Sequence, residues 1–267
     1  MTEIDTPAPG VRSVRADNPG PMTLDGTRTY LVGSREAVLL DPGPGGDGAV
    51  DRWRELAGDA AVETVALTHA HPDHAGGALR AAELFGARLA ATGETLRSLS
   101  ATGRSLHDGM ELSVDGGETS LRAVETPGHS ADHLCYFRPS DGVLFTGDLV
   151  LGEGSSLVGH PEGSVSDALS SLERLLALEP SLLLPGHGPD VTRAARRLTE
   201  YRDHRRDRTR QVREALEAGA RSVEGIRERV YGDEVPPGLG WAADATVRAH
   251  LVHLEELGEE LPEIRGR

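Results

Sequence analysis

Four side chains able to bind a metal ion lie within six consecutive residues: His69, His71, Asp73 and His74. Imidazole and carboxylate together form the ligand set that Zn²⁺ and other first-row transition metals prefer. If the segment continues a strand, His69 and His71 point in the same direction. The alternative is a solvated His-rich loop that binds nothing, but such loose tracts lack fixed flanking structure.

The residues on either side of this cluster predict a fixed position for it. The apolar and β-branched run Val62–Leu67 precedes the cluster and is typical of a buried strand. A helical run through Phe85 begins after Ala75-Gly76-Gly77. The cluster is therefore expected on a strand-to-helix loop, where the sites of layered α/β proteins usually lie.

Three further metal-binding side chains follow apolar runs downstream, each directly after a glycine: His129 after Gly128, Asp148 after Gly147 and His187 after Gly186. Glycine lets the chain turn sharply and direct the next side chain outward. Each position alone is more typical of a structural turn than of a ligand. Together with the first cluster, they indicate one site assembled from several strand ends.

This pattern resembles the metallo-β-lactamase superfamily, whose signature is His-X-His-X-Asp-His followed by His, Asp and His at successive strand ends. The resemblance implies that His69, His71 and His129 hold one metal ion. It implies that Asp73, His74 and His187 hold a second ion and that Asp148 bridges the two. Asp41 matches an early acidic residue that supports the ligand loop, a role that fixes imidazole orientation. The alternative for Asp41 is a plain turn residue before Pro42-Gly43.

The resemblance extends beyond the ligands. The segments Asn18–Leu24, Thr29–Gly33 and Leu151–Gly154 resemble the branch called beta-lactamase-like protein 2, and the region from about Tyr201 resembles its small winged-helix-like domain. The implied fold is α/β: a metallo-β-lactamase αββα sandwich at 1–200 followed by a winged-helix-like helical domain at 201–267. Members of this branch include endoribonucleases selective for single strands, and relatives of the same architecture hydrolyse acyl thioesters.

Two adjacent cations can share a hydroxide, because metal binding lowers the pKa of water from about 15.7 to about 7. Asp73 and Asp148 are predicted to act in catalysis, Asp73 by positioning the nucleophile. His133 either donates a proton to the leaving group or supports a ligand, and Asp132 has the same ambiguity. The predicted cofactors are two Zn²⁺ ions, with Mn²⁺ or Fe as alternatives. The single cysteine, Cys135, is predicted to be core rather than nucleophile.

Composition bears on the substrate. The net charge is −15, aromatic residues make up 3% of the chain, and lysine is absent. An acidic protein repels polyanions, and few aromatic rings can stack on unpaired bases. The arginine-rich window 202–213 also contains aspartates, which indicates a solvated helix. A small acyl substrate such as a thioester is therefore favoured, with single-stranded RNA as the alternative.

Two other classes are weaker: a non-catalytic binding protein on a hydrolase fold, and an iron oxidoreductase. No ligand is missing, which disfavours the first, and no flavin-binding or rubredoxin-like extension is recognisable. The N-terminus shows no secretory signal, no segment is long enough to span a membrane, and one cysteine fits a reducing compartment, so a cytoplasmic location is expected.

Apart from a polar lead at 1–17, strand and helix signals alternate from about 27 to 187. We predict helices at the following positions: Ala49–Ala57, Gly76–Phe85, Ser166–Leu178, Val191–Glu217, Val223–Val230 and Asp244–Leu257. Gly152–Ser156, just after Asp148, is predicted to be a flexible loop that could contact substrate.

Overall fold

The computed structural model describes residues 3–267 and contains two β-sheets. The first sheet has seven strands in sequential order: β1 Asp5–Ala8, β2 Val11–Arg15, β3 Arg28–Val32, β4 Glu36–Leu40, β5 Ala61–Ala66, β6 Arg88–Ala91 and β7 Arg104–Ser105. Strands β1 to β4 pair antiparallel, and β4 to β7 pair parallel. The second sheet has the order β12-β11-β10-β9-β8, with these strands: β8 Glu111–Val114, β9 Thr119–Glu125, β10 Leu134–Arg138, β11 Val143–Gly147 and β12 Leu182–Pro185.

The strands alternate with eight α-helices in the described chain: α1 Ala49–Ala57, α2 Pro72–Ala75, α3 Ala78–Phe85, α4 Gly93–Ser98, α5 Val165–Ala177, α6 Ala194–Glu217, α7 Val223–Tyr231 and α8 Gly240–Glu256. Two sheets with helices confirm the predicted α/β class. None of the helices at 3–267 is both long and apolar enough to span a bilayer.

The chain divides into two compact units. The first comprises residues 1–125, 132–154 and 178–194, and the second comprises 126–131, 155–177 and 195–267. The predicted boundary at residue 200 stays a prediction, as does the winged-helix-like character of the C-terminal region.

The core of the first unit lies on both faces of its first sheet. Val38 and Leu40 of β4 pack with residues of the second sheet, whereas Leu39 packs with α1 and α3. A strand buried on both faces is continuously apolar, which explains the sequence of β4. Tyr30 and Phe145, one from each sheet, meet edge to face with ring centroids 5.2 Å apart, a contact that adds about 0.5–1.5 kcal/mol to burial.

The second unit has an apolar core of its own. Helices α6, α7 and α8 contribute the apolar side chains of this core: Val212, Ala215, Leu216, Val223, Ile226, Val247, Leu251 and Leu254. Val247, Leu251 and Leu254 follow the helical spacing that the sequence indicates for one face of the last helix. The arginines of α6 mostly pair with acidic neighbours, as Arg210 does with Asp207 and Glu214. This pattern is that of a solvated helix face.

Three predicted boundaries are wrong. The lead at 1–17 contains β1 and β2, because Val11–Arg15 pairs antiparallel with β3 although only Val11 and Val14 are apolar. The helix predicted from Val191 begins at Ala194, because Val191 instead exchanges two backbone hydrogen bonds with Leu183. The last helix begins at Gly240 rather than Asp244, whose carboxylate accepts a hydrogen bond from Arg227 instead of capping the helix.

Candidate metal centre

The ends of three strands position four of the predicted ligands. His69 and His71 follow β5, and Asp148 and His187 follow β11 and β12, which are parallel neighbours. The helix α2 begins with Pro72 and presents Asp73 and His74 in its single turn. Proline suits this first position because it needs no hydrogen-bond partner for its nitrogen. The strand ends and α2 thus bring predicted ligands from distant segments of the sequence close together.

Asp73, His74, Asp148 and His187 form one group that could hold a metal ion. The Nε2 atoms of His74 and His187 are 3.2 Å apart. Asp148 Oδ1 lies 3.2 Å from the first of these nitrogens and 3.3 Å from the second. Asp73 Oδ2 lies 3.5 Å and 3.2 Å from the same two atoms. Four donor atoms therefore converge on one point.

His69, His71 and His129 form a second group, whose ligand atoms all lie within 4.8 Å of one another. The rings of His69 and His71 have centroids 4.5 Å apart. The ring of His69 also lies 4.4 Å from that of His74, a member of the other group. The two groups are therefore neighbours. The structure brings together all seven residues predicted as ligands.

Hydrogen bonds fix the tautomers of four histidines in the two groups: His69, His74, His129 and His187. His187 Nδ1 lies 3.2 Å from the carbonyl of Gly26, and His129 Nδ1 lies 2.7 Å from that of Leu157. A carbonyl only accepts, so the proton of each neutral ring is on Nδ1. His74 Nδ1 lies 2.9 Å from the Asp41 carboxylate, which requires the same tautomer. Each ring thus presents the lone pair of Nε2.

The ring of His69 follows the same rule through a hydroxyl. Thr68 Oγ1 donates to Asp41 Oδ2 at 2.7 Å, so it can only accept from His69 Nδ1 at 2.9 Å. In the neutral rings these nitrogen lone pairs converge with carboxylate oxygens, and a bound cation stabilises such a set of atoms. The donor set therefore fits divalent metal ions with nitrogen and oxygen preference.

The electrostatics of the metal-free groups agree with this conclusion. Burial opposes the charged form of His187, but the hydrogen bond that the ring donates to the Asp148 carboxylate outweighs burial and raises the pKa of His187 to about 9. Burial likewise opposes a charge on His74, yet Asp148 and Asp41 raise its pKa. The same histidines lower the pKa of Asp148 and Asp73 in spite of burial. Without a metal, the site takes up protons to balance its carboxylates.

Asp41 is a supporting residue rather than a plain turn residue. Its carboxylate accepts from the Thr68 N–H at 2.8 Å as well as from Thr68 Oγ1 and His74 Nδ1. It is buried and has a left-handed backbone with a φ of 47°. One carboxylate therefore orients His74 directly and His69 through Thr68.

Asp132 and His133 also support the ligand loops. Asp132 Oδ2 accepts from the N–H of Ala70 at 3.0 Å and from Thr95 Oγ1 at 2.6 Å, which fixes the backbone between His69 and His71. His133 Nε2 accepts from the N–H of Asp148 at 3.1 Å. The bond requires a lone pair on that nitrogen, so His133 holds the Asp148 backbone through it.

The glycines beside the ligands are required by close approach. A Cβ on Gly186 would lie 2.6 Å from His74 Cε1 and 2.7 Å from Asp148 Oδ1. A Cβ on Gly147 would lie 2.7 Å from His133 Nε2, and its φ of 48° also favours glycine. The loop Gly152–Ser156, for which substrate contact stays a prediction, donates a hydrogen bond from the Gly152 N–H to the carbonyl of His187.

Sequence reasoning missed four contributors: the side chains of Thr68 and Thr95 and the carbonyls of Gly26 and Leu157. Thr68 directly precedes His69, so a hydroxyl beside a ligand was a usable signal. Thr95 lies in α4, remote in sequence from every ligand. The carbonyls carry no signal because every residue has one.

The comparisons with known proteins agree with the site. The sequence model of the metallo-beta-lactamase superfamily matches residues 22–187, which is more than half of the chain and includes all seven residues predicted as ligands. The chain belongs to the metallo-beta-lactamase superfamily and is a hydrolase of that class.

Several relatives are similar over most of their length. An atrochrysone carboxyl ACP thioesterase of Aspergillus fumigatus is 34% identical over 224 residues, which covers 81% of this chain and 68% of that protein. A beta-lactamase-like protein 2 homolog of Caenorhabditis elegans is 29% identical, covering 86% of this chain and 79% of that one. A beta-lactamase domain protein of Burkholderia ambifaria has a TM-score of 0.84 at 26% identity, covering 96% and 89%.

Proposed function

We propose that this protein hydrolyses small acyl thioesters with two Zn²⁺ ions bound at the two groups. The convergence of histidine Nε2 and carboxylate oxygen atoms carries the proposal, because that donor set suits a divalent cation. The thioesterase from Aspergillus fumigatus supports the choice of an acyl substrate. Mn²⁺ and Fe are alternatives for the metal, since both also accept nitrogen and oxygen ligands.

In this proposal His69, His71 and His129 hold one ion, and Asp73, His74 and His187 hold the other. Asp148 belongs to the second group and, by the superfamily pattern, bridges to the first. Divalent cations at these positions would lower the pKa of water and polarise a carbonyl oxygen.

The residues have distinct tasks. The Asp73 side chain is 29% exposed whereas that of Asp148 is 11% exposed, so Asp73 faces solvent more. We assign to Asp73 the orientation of the attacking water through a hydrogen bond to its carboxylate. Asp148 contributes charge and holds its place through the bond between its N–H and His133. His133 is therefore proposed as a positioning residue, the second of its predicted roles.

The leaving group favours a thioester. Water adds its oxygen to the carbonyl carbon, the C–S bond breaks, and the products are a carboxylic acid and a thiol. Thiols have a pKa of about 8.5, so a thiolate leaves without a proton donor. An alkoxide leaving from RNA is far more basic and calls for an acid. His133 Nε2, the nitrogen turned toward Asp148, is occupied as an acceptor and does not supply that proton.

The charge of the chain supports the same choice. A net charge of −15 opposes association with a polyanion, and aromatic content of 3% provides few stacking surfaces. The arginines of α6 are largely neutralised, as in the pairing of Arg206 with Glu173. Neither the negative charge of the protein nor its low aromatic content opposes the binding of a small, weakly charged acyl thioester.

The test is turnover by the zinc-loaded protein on matched panels of acyl thioesters and single-stranded RNA. Asp148→Asn runs beside the wild type, and Asp59→Asn, an exposed position after α1, is the matched control. We expect thioester turnover that falls at least 100-fold in Asp148→Asn and is unchanged in Asp59→Asn, the size of loss seen when one electrostatic contact to the transition state is removed.

RNA cleavage that is lost in Asp148→Asn, with thioesters intact, would replace the proposed substrate by single-stranded RNA. RNA cleavage that persists in Asp148→Asn would identify a contaminating nuclease. Full thioester turnover by Asp148→Asn with both ions bound would refute the bridging role assigned to Asp148.

A further inference from the structure

Arg205 is a buried cation in the second unit. It lies in α6, is 3% exposed, and burial lowers its pKa. Among residues 3–267 it forms no ion pair with a carboxylate. Its side chain donates instead through one nitrogen to Ser156, to the carbonyl at 2.6 Å and to the hydroxyl at 2.9 Å. A buried charge without an acidic partner is costly, so its contact with Ser156 calls for an explanation.

Ser156 is adjacent to the residue that orients a predicted metal ligand. The carbonyl of Leu157 accepts from His129 Nδ1 at 2.7 Å, and this bond sets the tautomer and the rotation of the ring. Ser156 and Val158, on either side of Leu157, are both buried. Arg205 thus holds the Ser156–Leu157 peptide, which directly precedes the Leu157–Val158 peptide that carries the Leu157 carbonyl.

Other contacts of the His129 segment fix its backbone but not its ring. Ser171 Oγ donates to the carbonyl of Pro127 at 2.7 Å, and the N–H of Ser164 donates to the carbonyl of Gly128 at 2.9 Å. A Cβ on Gly128 would lie 2.5 Å from Ala168 Cα, so the chain passes directly over α5. The hydrogen bond from His129 Nδ1 to the Leu157 carbonyl acts on the imidazole itself and orients it.

The turn of α6 that carries Arg205 is itself braced. Thr209 Oγ1 donates to the carbonyl of Arg205 at 3.1 Å and so accepts from His250 Nδ1 at 2.9 Å. His250 is fully buried, and burial among neighbouring cations lowers its pKa to about 3, so the ring is neutral. Because this turn of α6 is fixed, Arg205 holds Ser156 in a defined position.

We propose that Arg205 is a positioning residue for the metal group of His69, His71 and His129, because it fixes Ser156 and thereby the Leu157 carbonyl that orients His129. The inference rests on the proposed function, since it takes His129 to be a ligand. Arg205, Ser156, Leu157 and His129 all belong to the second unit. Arg205 itself contacts neither substrate nor metal in this scheme.

The experiment compares metal binding by Arg205→Gln, Arg205→Lys and the wild type. Arg206→Gln is the matched control, since Arg206 is the next residue, lies half-exposed and pairs with Glu173. Zinc affinity is measured by competition with a chromophoric chelator that resolves both ions. We expect Arg205→Gln to weaken one of the two ions about 10- to 100-fold, as loss of a support behind a ligating histidine does, and to leave the other within about twofold.

The tautomer gives a readout that simple destabilisation would not change. In ¹⁵N-histidine-labelled, zinc-loaded protein, the wild type should show His129 with its proton on Nδ1, and Arg205→Gln should show exchange broadening or a shifted Nδ1 signal. Arg205→Lys keeps a cation that can donate to Ser156, so it should recover part of the lost affinity. Because it keeps the charge, Arg205→Lys also decides the question if Arg205→Gln fails to fold.

Unchanged affinity for both ions and an unchanged His129 signal in either folded Arg205 variant would overturn the inference and leave the proposed function intact. An equal loss of zinc affinity in Arg206→Gln would also overturn the inference, because the loss would then follow from a general change in α6. His129→Ala separates the two levels: if it keeps both ions, the ligand assignment in the proposed function is wrong.

Discussion

Replacing Asp41 by asparagine should weaken both metal groups, although Asp41 is not in either of them. The wild-type carboxylate accepts three hydrogen bonds: two from Thr68 and one from His74 Nδ1. Asparagine keeps the shape and tolerates the left-handed backbone at a φ of 47°. Its side chain has only one oxygen, so the NH₂ group must face either the Thr68 N–H or the His74 ring.

Each orientation has a calculable cost. If the NH₂ faces the Thr68 N–H, a buried donor is left unsatisfied, which costs about 1–3 kcal/mol of folding stability. If it faces His74, the ring accepts at Nδ1 and takes its proton on Nε2, which removes that nitrogen as a ligand. Loss of such a support typically lowers metal affinity by 10- to 100-fold, or about 1.4–2.7 kcal/mol. His69 is affected in turn, because Thr68 Oγ1 loses a fixed acceptor.

The assay has two parts. Urea unfolding of the EDTA-treated proteins measures the stability cost, and chelator competition measures the affinity for each ion. Asp115→Asn is the matched control. Asp115 also has a left-handed φ, 50°, and also accepts backbone N–H groups, from Ser34, Arg35 and Glu36, but it is no part of the metal centre. This variant should keep wild-type affinity for both ions.

If Asp41→Asn keeps its fold and binds both ions with wild-type affinity, Asp41 does not support the two metal groups. A loss of affinity for only the ion at the group of His74 would support the direct role of the Asp41–His74 contact. It would also show that the link from Asp41 through Thr68 to His69 does not affect the other ion. A loss of equal size in Asp115→Asn would show that the assay reports general destabilisation.

Four further predictions concern His187, Gly26 and Cys135. Zinc binding should weaken as pH falls below about 9, the raised pKa of His187, and should release protons, which calorimetry in buffers of different ionisation enthalpy measures. Because this folded-state pKa exceeds the ordinary value of 6.5, His187 stabilises the metal-free protein below about pH 6.5, and that contribution is lost as pH rises through about 9, which urea titrations will show. Gly26→Ala places a Cβ 2.4 Å from the carbonyl of Ala16 at a φ of 119°, so it should lower stability by about 1–3 kcal/mol in urea unfolding and displace the carbonyl that orients His187. Cys135 is fully buried, with Sγ 3.6 Å from the carbonyl of Thr146, so Cys135→Ala should keep turnover and the folded wild type should resist thiol-blocking reagents.

The ligands could be predicted from sequence because strand ends leave a local signature. Apolar runs followed by glycine and then His or Asp marked His129, Asp148 and His187 without any knowledge of the fold. The helix α1 was predicted with its observed bounds, since its apolar residues repeat with helical spacing between glycines. These features depend on interactions between residues close in the chain.

The supports of the ligands could not be predicted, because they depend on distant segments. The Gly26 carbonyl reaches His187 across 161 positions, and Asp41 reaches His74 across 33. Strand β2 was not predicted for the same reason, because its pairing with β3 rather than its own composition makes it a strand. The choice between the two predicted roles of His133 could not be made from the sequence either, because the Asp148 N–H meets His133 Nε2 only in the folded chain.

The shared support at Asp41 also bears on why two adjacent metal groups are built from one loop. His69 and His74 belong to different groups, yet their Nδ1 protons lead to the same carboxylate, one directly and one through Thr68. Both tautomers are therefore fixed by a single buried anion. An ion bound at either group would hold its histidine against this network, and the order it imposes on Asp41 and Thr68 would already be present for a second ion. We therefore expect binding at the two groups to be coupled through the hydrogen bonds behind the predicted ligands, independently of any bridging atom in front of them.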